Sequence, residues 1–309
     1  MQQRPSPPLS RRFHLVTGKG GVGKSTVAAT LGLYFARRGE RTLICEMDPR
    51  AQLSTLFSLP SKPGEIVRLH NEVELWGVNI DLEAAILEYG TLKLRFQRLS
   101  RLFFDNPLTR TLINLLPGVS SLIMLGKAFH HERERVGRRF VWDRVIIDAP
   151  ATGHSLALIS LPRMISEVIR RGNLYRENAE MWALLQDAER SAVHVVTLPE
   201  RLPLSETLEL WEALERDLGV ARGHLFLNQT PSSTHWPRPS PSTSTSLSEG
   251  DLSLLAELSQ LLERRHREYE RAQVALENFT LPCVPIELPR LDAFSLEGFT
   301  EIFADAVKK

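Results

Sequence analysis

The stretch Gly18-Lys19-Gly20-Gly21-Val22-Gly23-Lys24-Ser25-Thr26 combines the residue types that can hold a phosphate chain. Gly18, Gly23, Lys24 and Ser25 satisfy the spacing G-x-x-x-x-G-K-[ST]. Glycines let backbone N–H groups converge on phosphate oxygens. The positive end of a following helix adds to that attraction. In such a loop Lys24 neutralises β/γ-phosphate charge, Ser25 gives its hydroxyl to Mg²⁺, and Thr26 is free to bond another phosphate oxygen. Lys19 adds a second positive charge at the rim of the pocket. Lying five residues before Lys24, it cannot share that position. It is either a solvated surface lysine or one that reaches a nucleotide held by another subunit.

Two carboxylates have matching chemistry. In "ICEMDPRAQLSTLF" Asp48 closes an apolar run and stands at the carboxyl edge of a sheet, where α/β folds bind ligands. A carboxylate there can orient a water for attack on a γ-phosphate, although strands also end in Asp-Pro for reasons of turn geometry. In "VIIDAPATGHSLALISLP" four apolar residues lead into Asp148, an arrangement that serves Mg²⁺, usually through water. Gly153 and His154 then begin a turn that either senses the γ-phosphate or merely starts a helix.

Positioning these groups requires alternating strands and helices. Apolar runs mark strands at 12–17, 42–48, 74–80, 143–148, 192–198, 223–228 and 281–286, and several are continuous, as in strands buried on both faces. Helical spacing separates most of them, beginning with "STVAATLGLYFARRGE" after the Gly-rich turn. The fold expected is an α/β doubly wound, mostly parallel sheet of about seven or eight strands. Residues 12–309 form one domain after a disordered leader at 1–11 that lacks a secretory apolar core. Residues 81–137, helix-rich and strand-free, and 161–190 are insertions that pair as a helical subdomain on one side of the sheet. Residues 231–248, nearly all Pro, Ser and Thr, are a disordered loop. A helix follows at about 250–277, and "LEGFTEIFADAVKK" supplies a C-terminal amphipathic one with an acidic polar face.

Composition narrows the function. A 309-residue chain with 42% hydrophobic residues builds a sizeable core, and a net charge of +1 gives no case for nucleic acid as a partner. Cys45 and Cys283 lie far apart in strand-like runs, which indicates core thiols in a reducing, cytoplasmic setting. The longest apolar run, "TLINLLPGVSSLIMLG", is broken by Pro117 and falls short of a membrane span.

Taken together, "GKGGVGKST", "DPRAQLSTLF" and "DAPATGHSL" resemble the ArsA family of deviant Walker A phosphate-loop ATPases, which includes the arsenite-pump ATPase and the ATPase that targets tail-anchored membrane proteins. The resemblance runs from residue 12 to the C-terminus. It implies an ATP/ADP- and Mg²⁺-dependent dimer that closes on ATP, made with itself or with a paralogue, handling a protein client or membrane-associated partner. It implies that Lys19 crosses the dimer interface to the partner's phosphates, that Lys24 and residues 18–26 hold phosphate, that Asp48 positions water, and that Ser25 and Asp148 serve Mg²⁺. "LFLNQ" resembles the strand whose Asn, here Asn228, reads adenine; "CVPIELPRLDAF" resembles the loop over the base, here Pro289, Arg290 and Leu291.

The departures from the family concern rate and cargo. After Asp48-Pro49 the chain reads Arg50-Ala51-Gln52 where the family often has Ala-His, so the hydrogen bonds beside Asp48 must differ. The two cysteines cannot form an arsenite-binding thiol triad within one subunit. The C-x-x-C by which eukaryotic targeting ATPases share a zinc is replaced by the Pro/Ser/Thr tract, so no structural zinc is expected. The competing reading is a MinD- or ParA-like positioning ATPase that acts by reversible surface binding.

Overall fold

A computed structural model describes residues 7–48, 50–60, 62–80, 85, 119–150, 155–231, 248–279, 285–290 and 295–308. The centre is one eight-stranded sheet. Its strands are β1 (Phe13–Gly18), β2 (Thr42–Glu46), β3 (Ile66–Arg68), β4 (Leu75–Asn79), β7 (Arg144–Asp148), β8 (Ser191–Thr197), β9 (Arg222–Thr230) and β10 (Ile286–Pro289), in the order β10-β9-β8-β1-β7-β2-β4-β3. All neighbours pair in parallel except β3, which runs antiparallel to β4 at one edge. A separate two-stranded hairpin joins β5 (Arg135–Val136) to β6 (Arg139–Phe140).

Helices cover both faces: α1 (Lys24–Arg37), α2 (Gln52–Leu56), α3 (Val119–Arg133), α4 (Ser155–Val168), α5 (Gly172–Gln186), α6 (Arg201–Arg216), α7 (Glu249–Glu277) and α8 (Leu296–Ala306). Side chains alternate across each strand. Phe13, Leu15, Val145 and Ile147 face Leu125 and Phe129 of α3, Leu184 of α5 and Trp211 of α6. Val16, Ile146 and Phe226 face Leu31 of α1 and Phe299 and Phe303 of α8. Both faces are therefore dry, which is why the central strands read as unbroken apolar runs rather than alternating ones. The helix foreseen at 250–277 is α7, started by a capping box in which Ser248 accepts from the Asp251 N–H and the Asp251 carboxylate accepts from the Ser248 N–H. Cys45 is a free, fully buried thiol whose pKa burial raises.

Four elements differ from expectation. Within the stretch 1–11 expected to be disordered, Pro8–Ser10 form a 3-10 helix and Arg11 is buried, donating to the Ser191 and Arg222 carbonyls. The stretch 81–137 is not strand-free, because β5 begins at Arg135; an Arg-rich hairpin turning through Gly137 at φ 62° has no apolar run to announce it. The strand placed at 281–286 is found at Ile286–Pro289. Pro282 and Pro285 cannot donate to a ladder, whereas Ile286 and Leu288 turn inward and Glu287 outward, the pattern of an edge strand. The edge strand β3 was not foreseen, being three mostly exposed residues. Residues 232–247, most of the Pro/Ser/Thr tract, lie outside the described residues, as do 86–118 of the first insertion and Cys283.

Candidate nucleotide site

Three strand ends meet at one edge of the sheet. Register sets Val16 and Glu46 beside Asp148, so β1, β2 and β7 deliver their carboxyl ends together. The chain leaving β1 turns through Gly21 and Gly23, both at positive φ, and enters α1 at Lys24. At two positions only glycine fits. A Cβ on Gly18 would lie 2.3 Å from the Val196 carbonyl oxygen, and one on Gly23, at φ 91°, would lie 2.2 Å from Asn228 Nδ2. Val22 is buried between them, and its carbonyl accepts from Asn228 Nδ2 at 2.8 Å. Asn228, the residue matched to adenine reading, thus has its amide nitrogen committed to pinning the loop.

Lys24 is 6% exposed, and its ammonium curls back to donate to the Lys19 carbonyl at 3.0 Å. Burial lowers its pKa most; Asp148 and Asp48 oppose that shift and Arg50 adds to it. Asp148 is buried, with Ser25 as its polar side-chain neighbour. Among the described residues, neither of its carboxylate oxygens closes a full hydrogen bond, and burial pushes its pKa up to about 7. Ser25 and Thr26 are half-buried in the first turn of α1, and Gly20 is exposed at the loop's tip.

Asp48 is held differently. Its Oδ1 accepts from the Arg50 backbone N–H at 2.9 Å and from Nε at 3.0 Å, and its Oδ2 accepts from Nη2 at 2.7 Å. The hydrogen bond from the Arg50 side chain is the first cause of a pKa below the usual carboxylate value. Below it lies a network that sequence reasoning did not foresee. Asn79 Nδ2 donates to the Asp48 carbonyl at 2.8 Å and to Glu46 Oε2 at 3.0 Å, and Glu46 Oε1 accepts from the Leu53 N–H at 3.1 Å. Burial raises the Glu46 pKa. The one available signal was an acid inside the apolar run "LICEM".

Lys19 also has a partner that was not foreseen: its ammonium meets Glu206 Oε1 of α6 at 2.8 Å. On the far side, Leu288 pairs with Asn228, which brings Pro289 and Arg290 to the same end of the sheet; Arg290 N–H donates to the Thr230 carbonyl at 2.9 Å. Pro49, Gly153, His154 and Leu291 lie outside the described residues.

A buried lysine over a glycine loop at a helix start, between two strand-end carboxylates in a doubly wound sheet, defines the phosphate-loop nucleotide-binding class. Residues 11–178, more than half of the chain, match the model of the anion-transporting ATPase (ArsA) family, and the chain belongs to that family. It is 33% identical over 226 residues to the ATPase BagA of Mycobacterium tuberculosis, covering 71% of this chain and 65% of that one. To an arsenical pump-driving ATPase of Escherichia coli it is 30% identical over 207 residues, covering 65% of this chain and 32% of the other. The ATPase ASNA1 homolog 1 of Paramecium tetraurelia is 28% identical, covering 55% of this chain and 52% of its own. The chain thus spans 65% or less of the length of these curated relatives. Among the described residues, no helix is long and apolar enough to cross a membrane, and no group of three or more His, Cys, Asp or Glu is arranged to hold a metal ion.

Proposed function

We propose that the chain hydrolyses ATP to ADP and phosphate with Mg²⁺, as a dimeric switch that closes on ATP and opens after hydrolysis. The observation that carries this reading is Asp148: a buried carboxylate whose oxygens close no full hydrogen bond among the described residues, with the Ser25 hydroxyl beside it and Lys24 in its electrostatic field. A buried carboxylate without partners is costly, and these oxygens with the Ser25 hydroxyl fit Mg²⁺, directly or through water. When bound, the ion neutralises charge on the β- and γ-phosphates. Lys24 leaves the Lys19 carbonyl for the phosphates, the amides of residues 18–26 surround them, and Asp48 orients the attacking water. Lys19 reaches the partner's phosphates and stabilises charge that develops in the transfer. The carboxamide oxygen of Asn228 accepts from the adenine amine, and Pro289, Arg290 and Leu291 border the base.

The helices of the two insertions form the surface for a protein or membrane-associated partner; Met164, Val168, Leu174 and Tyr175 expose apolar surface where α4 passes into α5. The surface-binding alternative needs a C-terminal helix free to lie on lipid. Phe299 and Phe303 of α8 are instead buried against α1, with the Phe303 ring 5.3 Å from Tyr34, which favours the first reading.

The test is phosphate release with and without Mg²⁺, together with light-scattering mass in ADP and in a non-hydrolysable ATP analogue. Expected are Mg²⁺-dependent release and a mass that doubles only with the triphosphate. Lys24→Ala should lose nucleotide binding; a Lys24→Ala variant that hydrolyses at the wild-type rate sinks the reading.

A further inference from the structure

The deepest departure from the family pattern lies at Arg50. Its side chain is 64% exposed, yet it takes both oxygens of Asp48, whose side chain is only 10% exposed. Oδ1 receives two donors and Oδ2 one. A carboxylate so occupied has little left to offer a water. The surrounding backbone is fixed, because Asn79 holds the Asp48 carbonyl and Glu46 holds the first turn of α2. What can re-pair is the Arg50 side chain itself. Arg50 stands on the loop that leaves β2, where the Met47 N–H donates to the Asp148 carbonyl at 3.1 Å and so holds the start of this loop against the strand end that carries Asp148.

We propose that Arg50 is a γ-phosphate ligand in this chain, and that the γ-phosphate and Asp48 compete for its guanidinium. In the empty or ADP-bound site Arg50 holds Asp48 bidentately. A triphosphate offers a terminal group with more negative charge than one carboxylate and the same oxygen spacing for a guanidinium fork. The fork moves to it, and Asp48 is released to orient water only when there is a phosphoryl group to attack. An arginine on the loop that follows a strand end of the phosphate site is suited to stabilising charge in phosphoryl transfer. Ala51, the next residue, is held left-handed at φ 50°, a conformation a non-glycine residue adopts at a cost.

The proposal rests on the ATPase reading above, and binding measurements separate the two. ADP and the non-hydrolysable analogue AMP-PNP are titrated against wild type, Arg50→Ala, Arg50→Lys, Asp48→Asn and the Arg50→Ala/Asp48→Asn double variant, with kcat and KM for ATP alongside. Arg50→Ala should bind ADP within about twofold of wild type and lose about tenfold or more in AMP-PNP affinity, since even one of the fork's charge-assisted hydrogen bonds accounts for about tenfold. Its kcat should fall, and Arg50→Lys should recover part of both losses. Asp48→Asn removes the competitor, so AMP-PNP should bind more tightly than in wild type, and this gain should vanish in the double variant. A gain that persists there is simple relief of charge repulsion and overturns the competition. Equal losses for ADP and AMP-PNP, no loss for either, or a rise in kcat with unchanged AMP-PNP affinity each reduce Arg50 to a surface partner or a brake. If wild type binds no ADP, the phosphate-loop reading fails and takes this proposal with it.

Discussion

Within its own subunit the Lys19 ammonium pairs with Glu206, and that contact sets what releasing it should do. The two side chains are 35% and 49% exposed, so the pair sits largely in water. Exposed ion pairs contribute about 0.2–1 kcal/mol. If Lys19 works across a dimer, each subunit must break this pair on closing, and two pairs cost about 0.4–2 kcal/mol together. Glu206→Gln keeps the shape and removes the charge. The dimerisation constant in ATP should then rise by a factor of about 2–30. At protein concentrations well below dimer saturation, phosphate release per subunit should rise by the same factor; at saturation the variant and wild type should converge. High salt should shrink the difference, since screening shortens to about 3 Å at 1 M. Lys19→Ala should bind ADP nearly as wild type does and hydrolyse slowly at every concentration. Mixed with Asp48→Asn it should recover activity, because one site of the mixed dimer has an intact Asp48 and receives an intact Lys19. A Glu206→Gln curve that overlays wild type throughout the dilution series, a Lys19→Ala rate equal to wild type, or no recovery in demonstrated mixed dimers would each refute the trans role.

Two further outcomes concern the frame around the site. His224 N–H donates to His194 Nδ1, so neutral His194 carries its proton on Nε2 and donates to His14 Nδ1 at 3.0 Å. That leaves the His14 proton on Nε2, which is buried and has no hydrogen-bond partner among the described residues. Burial, with Arg144 beside His14 and Arg11 beside His224, lowers their pKa values to about 3 and about 4. Because the folded values lie below the unfolded one, stability is complete above about pH 6.5 and is lost as pH falls towards them, by up to ~1.4 kcal/mol per pH unit for each group. Urea midpoints should therefore drop between pH 6.5 and 5, and His224→Gln should make that slope shallower; a flat profile refutes the assignment. Gly23→Ala forces a Cβ into Asn228 at a left-handed position and should cost about 1–3 kcal/mol by thermal melt along with nucleotide affinity. Gly39→Ala, also at positive φ but with open space around it, should cost about 1 kcal/mol and leave nucleotide titrations unchanged.

What could be read in advance was local. The phosphate loop is nine consecutive residues whose spacing carries its own geometry, and α1 follows it directly. The parallel sheet was legible because strands covered on both faces must be apolar throughout, and α7 because its helical pattern lies within one segment, although its Ser248 cap was assigned to the preceding loop. β3 and the β5–β6 hairpin escaped because a short, exposed strand buries too little to leave a hydrophobic pattern.

By itself, then, the order of residues determined the fold class, the loop and the two carboxylates at strand ends, since each depends on neighbours a few positions away. Tertiary structure decided which groups those residues meet. Lys19 finds Glu206 and Asn228 finds Val22 only because the crossovers set β8 beside β1, with β9 and α6 packed in turn against β8. Asn79 reaches the Asp48 carbonyl because β4 lies against β2. Even Arg50, two residues from Asp48, was legible only as a change from the family pattern. Whether its guanidinium turns to solvent, to a phosphate or back onto Asp48 depends on the charges that the folded pocket gathers around it, and no local propensity encodes that choice.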